Sequence, residues 1–167
     1  MPLSMYQASV PVFTRVLGNL SNVLAKGTAF ADSRKIEPSV LINSRLAPDM
    51  LPLSRQVQIA SDMAIRGAAR LAGVDIPSSP DVETTFPELQ QRIAKARDFV
   101  KTLSAAQIDG SETKKLTIPV GDREFVFTGQ DYLFNFVLPN LFFHSTATYL
   151  ILRHNGVELG KMDFLGA

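Results

Sequence analysis

Apolar residues return at three- and four-residue intervals in four separate stretches of this chain. That period commits most of its length to helices packed against one another. From Ser4 to about Lys26, the residues Tyr6, Val10, Phe13, Leu17, Leu20 and Leu24 form one stripe. Pro11 lies inside it and predicts a kink there or an effective start near Ser9. Lys26-Gly27 predicts the stop, with a cation in the last turn and a glycine after it. Ser54 to Ala72 gives a second helix with Val57, Ala60, Ala64, Ala68 and Leu71 on one face. Its small residues, Gly67 among them, would let a neighbouring helix come close. Thr85-Phe86-Pro87-Glu88 reads as a capping box opening the third helix, which carries Leu89, Ile93, Ala96 and Val100 and ends before Asp109-Gly110. The fourth runs from about Gln130 to His154 and closes at Asn155-Gly156.

The connections are short. Pro38 to Met50 predicts a helical turn at Ser39–Asn43 followed by a structured loop, and residues 75–81 form a proline- and serine-rich link. Residues 115–127 abandon the helical period: Leu116–Val120 and Glu124–Phe127 flank Gly121-Asp122 and predict a hairpin, with Pro119 making one side an edge. The tail to Ala167 has no strong period. The expected fold is all-α, a single domain over 1–167: an antiparallel four-helix bundle with a small β-hairpin between helices three and four.

Charge and composition narrow the function classes. Seventeen basic and sixteen acidic residues leave a formal charge of +1 with no basic stripe, which argues against nucleic-acid binding. With no cysteine, disulfide scaffolds, thiolate metal sites and cysteine nucleophiles are excluded. The first residues lack a basic stretch followed by an apolar one, so the expected location is cytoplasmic. The most apolar stretch, Tyr132 to Leu152, contains Asn135, Pro139, Asn140, His144 and Ser145. A lipid-facing span would bury these at high cost, so a helix enclosed within a bundle is expected, with no membrane partner.

Only two histidines are present, His144 and His154. Ten residues apart on one helix, they diverge by about 80° and lie about 15 Å apart along the axis, too far to share a metal ion. His154 fits a helix C-terminus, where the dipole favours it. His144 and Asn140 interrupt an apolar face formed with Leu133, Val137, Ala147 and Ile151, and buried polar groups need partners. A histidine bonded to a neighbouring helix is one reading, a ligand pocket the other. Arg45 and Asp49 precede helix two, Gln56 and Gln58 lie on it, and Tyr6 lies near the chain start; all are pocket candidates. An arginine at position 45 could grip a carboxylate or phosphate, or simply pair with Asp49. Phosphate-cradling glycine loops, H-E-x-x-H, G-x-S-x-G and calcium loops are missing. Ser145 adjoins His144 but points elsewhere on the helix, so it makes a poor nucleophile.

Three segments carry a family resemblance. Leu3-Ser4-Met5-Tyr6-Gln7-Ala8-Ser9-Val10-Pro11-Val12-Phe13, Leu46-Ala47-Pro48-Asp49-Met50 with Gln56-Val57-Gln58, and His154-Asn155-Gly156-Val157 with Gly160-Lys161-Met162-Asp163 resemble an uncharacterised bacterial and fungal family. It is a domain-of-unknown-function branch of the DinB/YfiT-like four-helix superfamily, and the resemblance spans almost the whole chain. It implies the bundle fold. Better-known superfamily members carry three histidines on a metal, one on helix two and an H-x-x-x-H pair on helix four, and some are metal-dependent hydrolases or thiol transferases. By that resemblance His144 matches the second histidine of the pair, Asn140 the first, and Gln56 or Gln58 the helix-two ligand. Amides bind transition metals poorly beside imidazole.

The expectation is therefore a protein with a degenerate metal site and no cofactor, binding a small molecule or serving a stress-related, non-enzymatic role. One alternative is a metal-dependent hydrolase or thiol transferase in which His144, Asn140 and a carboxylate such as Asp49 hold zinc, nickel or manganese with water. Another is a dimeric interaction module, paired through Phe134, Phe142 and Phe143. A homodimer is expected because superfamily members often pair through helices.

Overall fold

The computed structural model describes residues 3–166 and is mostly helical. Helix α1 spans Met5–Arg34, α2 Pro38–Ile42, α3 Leu53–Ala72, α4 Phe86–Lys101 and α5 Ala105–Ile108. Strands β1 (Lys115–Val120) and β2 (Arg123–Thr128) follow. The last long helical stretch comprises α6 (Gly129–Tyr132), a π-helical turn at Leu133–Val137, and α7 (Leu138–His154); α8 covers Lys161–Leu165. Helix α1 packs on α4, α4 on α3, and α3 on α7, while α1 also meets α7 to close the ring. Phe13, Leu17, Leu24, Leu71, Leu89, Ile93 and Leu133 fill the centre. No helix among the described residues is long and apolar enough to cross a membrane.

Local chemistry accounts for most boundaries. Ser4 caps α1, its hydroxyl accepting from the Gln7 amide while the Gln7 side chain returns to the Ser4 amide. Helix α1 therefore starts at Met5 rather than near Ser9, and it continues through Pro11. The carbonyl at i−4 that loses its backbone donor belongs to Gln7, and both Gln7 and Pro11 are exposed, so water serves it. The helix also passes the expected stop at Lys26-Gly27 and ends only at Lys35, which takes the left-handed conformation at φ 54°. Gly27 has a packing role instead: a Cβ there would lie 3.0 Å from the Leu152 side chain, so its absence lets α7 approach α1. The capping box of Thr85 and Glu88 forms as expected, and hydrogen bonds donated to the Glu88 carboxyl, first by the Thr84 amide, draw it below its usual range.

The π-turn lies just before Pro139. A proline ring clashes with the carbonyl four residues back, here Asn135, and widening the turn at Leu133–Val137 relieves that crowding without ending the helix. Gly67 of α3 faces this wide turn, and a Cβ there would stand 2.6 Å from Val137 Cγ1. Close approach of two helices thus depends on the small residue noted from sequence. The hairpin pairs Leu116 with Phe127 and Ile118 with Phe125, with Pro119 opposite Glu124. Its anchor is aromatic: Phe127 lies 6.0 Å from Tyr132 and 5.7 Å from Phe136 between ring centroids.

Candidate functional site

On α7 the buried face consists of Leu141, His144, Ser145, Ala147, Thr148, Ile151 and Leu152. His144 is 9% exposed and points at α3, where its Nδ1 meets Gln56 Oε1 at 2.7 Å. Gln56 is itself buried and donates through Nε2 to the Leu51 carbonyl at 3.0 Å, which fixes its oxygen toward the imidazole. Nδ1 must then carry the proton, leaving the lone pair on Nε2. Burial holds the His144 pKa below its ordinary value, so the ring is neutral at physiological pH.

The other sequence candidates lie elsewhere. Asn140 is only partly buried and donates back to the Phe136 carbonyl at 2.7 Å, a carbonyl in the π-turn, so it does not pair with His144. Gln58, two residues on from the imidazole's partner and facing the other side of α3, is also buried: it accepts from Arg55 at 2.6 Å and donates to Glu83 at 2.9 Å. There it joins a polar cluster centred on buried Arg92, whose guanidinium reaches Asp62 at 2.7 Å, Asp81 at 2.9 Å and Glu83 at 3.0 Å. Burial alone would lower the Arg92 pKa, but the hydrogen bonds it donates to Asp62 and Glu83 outweigh that and raise the value. This cluster ties the proline-rich link to α3 and α4.

Arg45 and Asp49 are both exposed, and no ion pair joins them; the Arg45 guanidinium donates to the Met50 carbonyl and pins its own loop. Tyr6 packs partly buried against the core near the start of α1, where its amide is held by Asp109 at 2.8 Å. His154 is exposed in the last turn of α7, beside Arg153. Of the seven pocket candidates, only Gln56 and His144 come together.

This arrangement does not fit a three-imidazole metal centre. Two donors on one tetrahedral ion stand about 3.4 Å apart at bond lengths near 2.1 Å. Gln56 Oε1 and His144 Nδ1 are closer than that, in direct hydrogen-bond contact, with the proton between them. Asn140 is turned to its own helix. Among the described residues, no three His, Cys, Asp or Glu side chains form a group able to hold a metal ion.

A different concavity is built away from the seven pocket candidates. Helices α1, α7 and α8 enclose a cavity of about 420 Å³ walled by Val12, Val16, Leu20, Val23, Phe142 and Phe164. Arg15, Asn19 and Ser145 supply its polar atoms. Helix α8 closes one side and is fastened to α1 by the Lys26–Asp163 ion pair at 2.6 Å and by Asn19 donating to the Phe164 carbonyl at 3.0 Å. Phe164 also stands edge-on to Tyr149, with centroids 6.1 Å apart. The tail carries no helical period strong enough to reveal α8 beforehand, and without α8 the stripe Val12–Val16–Val23 looks like any core face.

The pattern of the domain-of-unknown-function family DUF1993 matches residues 5–165. A crystal structure described as a DinB family member protein from Shewanella denitrificans is similar to this chain at 42% sequence identity. The two superpose with a TM-score of 0.88, over 97% of this chain and 92% of that one. No curated protein matches the chain.

Proposed function

The chain belongs to the domain-of-unknown-function family DUF1993 on a DinB-like fold, and from that premise we propose that it acts without a metal cofactor, by binding a small organic molecule between α1, α7 and α8. The observation that carries this reading is the cavity itself. Its volume of about 420 Å³ lies in the range of small-molecule sites, which are mostly apolar with a few placed polar groups. The degenerate metal position supports it from the other side. His144 Nδ1 and the Gln56 amide are committed to each other and to Leu51, as a pin between α3 and α7, which leaves the His144 Nε2 lone pair without an imidazole partner of its own. Asn140 and Gln58 are likewise committed to protein partners.

Native mass spectrometry on gently purified protein, with a thermal-shift screen of small organic compounds, tests the proposal. A hit whose shift disappears in Val16→Phe, a variant that fills the cavity, supports it. Hits that bind Val16→Phe equally well, or no hit at all, refute it. Metal analysis of untagged protein is the companion measurement; a stoichiometric ion lost in His144→Ala would favour the metal-dependent hydrolase or thiol transferase instead.

A second reading has its own observation. Phe142 and Phe143 are 40% and 56% exposed on α7, and Phe134 is 42% exposed. Such side chains suit a helix-mediated homodimer. Light scattering on a sizing column decides it, since a strict monomer removes this reading.

A further inference from the structure

Five buried side-chain polar atoms among the described residues lack a partner, Thr14 Oγ1, Ser111 Oγ, Ser145 Oγ and the Nε atoms of Arg92 and Arg97, and of these only Ser145 lines the α1/α7/α8 cavity. Buried helical serines and threonines in this protein bond back to the preceding turn: Ser9 to the Met5 carbonyl at 2.7 Å, Ser61 to Val57 at 2.9 Å, and Thr148 to His144 at 3.0 Å. That bond is how a hydroxyl ordinarily survives burial in a helix. Ser145 is 3% exposed and lines the cavity, yet its Oγ has no partner. An unmade hydrogen bond in an apolar wall is costly, and a ligand oxygen in the cavity would remove that cost.

The mouth has the opposite character. Arg15 is exposed, and its guanidinium makes only a long contact, 3.3 Å, to the Leu165 carbonyl. Among the described residues no carboxylate pairs with it, so its remaining donors are open to a ligand at the mouth. The rest of the lining is valine, leucine and phenylalanine, apart from Asn19, whose Nδ2 donates to the Phe164 carbonyl.

We propose that the cavity takes a lipophilic carboxylate: its anionic end at the mouth beside Arg15, its apolar body along Val12, Val16 and Phe142, and an oxygen on that body meeting Ser145. This rests on the small-molecule reading above and specifies its ligand. The guanidinium supplies forked donors that match a carboxylate, and the deep hydroxyl selects molecules with a second oxygen over plain chains. No atom changes hands; the role is recognition.

Three probes test it by calorimetry on the full chain: decanoate, 10-hydroxydecanoate and decanol. Decanoate is expected to bind, and Arg15→Gln to weaken it by about fivefold or more while leaving decanol unchanged. Wild type is expected to prefer 10-hydroxydecanoate to decanoate by about fivefold, and Ser145→Ala to abolish that preference. Arg15 is exposed and Ser145→Ala removes a single atom, so both variants keep the fold, checked by unchanged circular dichroism. Decanol binding as tightly as decanoate, indifferent to Arg15→Gln, would overturn the carboxylate assignment while leaving the small-molecule reading intact. Failure of all three probes alongside a positive compound screen rejects this ligand class. Failure of probes and screen together rejects both. A dimer that Phe142→Ser dissociates, with no probe bound to either form, would make the cavity part of an interface and also refute the proposal.

Discussion

Replacing His144 with alanine removes the Nδ1–H donor from Gln56 Oε1 and leaves that oxygen in a residue only 1% exposed. Stranding a buried acceptor costs about 1–3 kcal/mol, so about 2 kcal/mol of destabilisation is expected. For a chain of this size that lowers the melting temperature by about 4–8 °C. Gln56→Met keeps the volume but removes the same bond, together with the one to Leu51. The two losses are therefore coupled, and the double variant should be less destabilised than the sum by about 1 kcal/mol. A pH series adds an independent signature. Burial lowers the folded-state pKa of His144 below its unfolded value near 6.5, so the unfolded chain binds more protons as the pH falls past that point. The contribution to stability is complete above about pH 6.5 and declines below it, through the depressed folded pKa. Urea unfolding between pH 8 and pH 5 should show this decline in wild type and a shallower one in His144→Ala, with exposed His154 common to both. Additive single losses, or identical pH profiles, would refute the hydrogen-bonded pin.

The helix contacts give further expectations. Gly67→Ala forces a Cβ to 2.6 Å from Val137 and should destabilise by about 1–3 kcal/mol, despite alanine's better helix propensity; Val137→Ala in the same chain should recover part of the loss by chemical denaturation. Arg92→Met leaves Asp62 and Glu83 without their cation in a poorly solvated site and should cost about 3 kcal/mol, measured by the same unfolding curves. Tyr132→Phe deletes the hydroxyl that Arg70 reaches at 2.8 Å; a loss of about 1 kcal/mol is expected, and an unchanged melting temperature would show that bond to be energetically idle. Gly156→Ala places a side chain at φ 100°, and a melting temperature lowered by at least about 2 °C is the expected result.

Periodicity, caps and breakers along the chain already determined the helical class, the hairpin around Gly121-Asp122 and the capping box at Thr85, because each depends on residues within a few positions of one another. The close approach at Gly67 was equally legible, since a glycine on a helix face of small residues leaves room that a neighbour fills. Gly27 shows the limit of such reasoning. A glycine after a lysine reads as a stop, and only the Leu152 side chain, more than a hundred residues away, explains why the helix passes through it. The same holds for the candidate site. The sequence singled out His144 as a polar residue on a face that should be buried and Gln56 as a pocket candidate on the second long helix, and the fold joined them. It could not say that Asn140 would turn back to Phe136 or that Gln58 would bond to Arg55 and Glu83, because a side chain's partner depends on which helices pack and on the phase left by the π-turn. The cavity was least legible of all. Its walls come from the two ends of the chain and from the last long helix, and α8, which closes it, is one short turn held by tertiary contacts rather than by its own period. Local patterns set which elements form; the space between them, and the unpartnered hydroxyl facing it, exist only once the helices have docked.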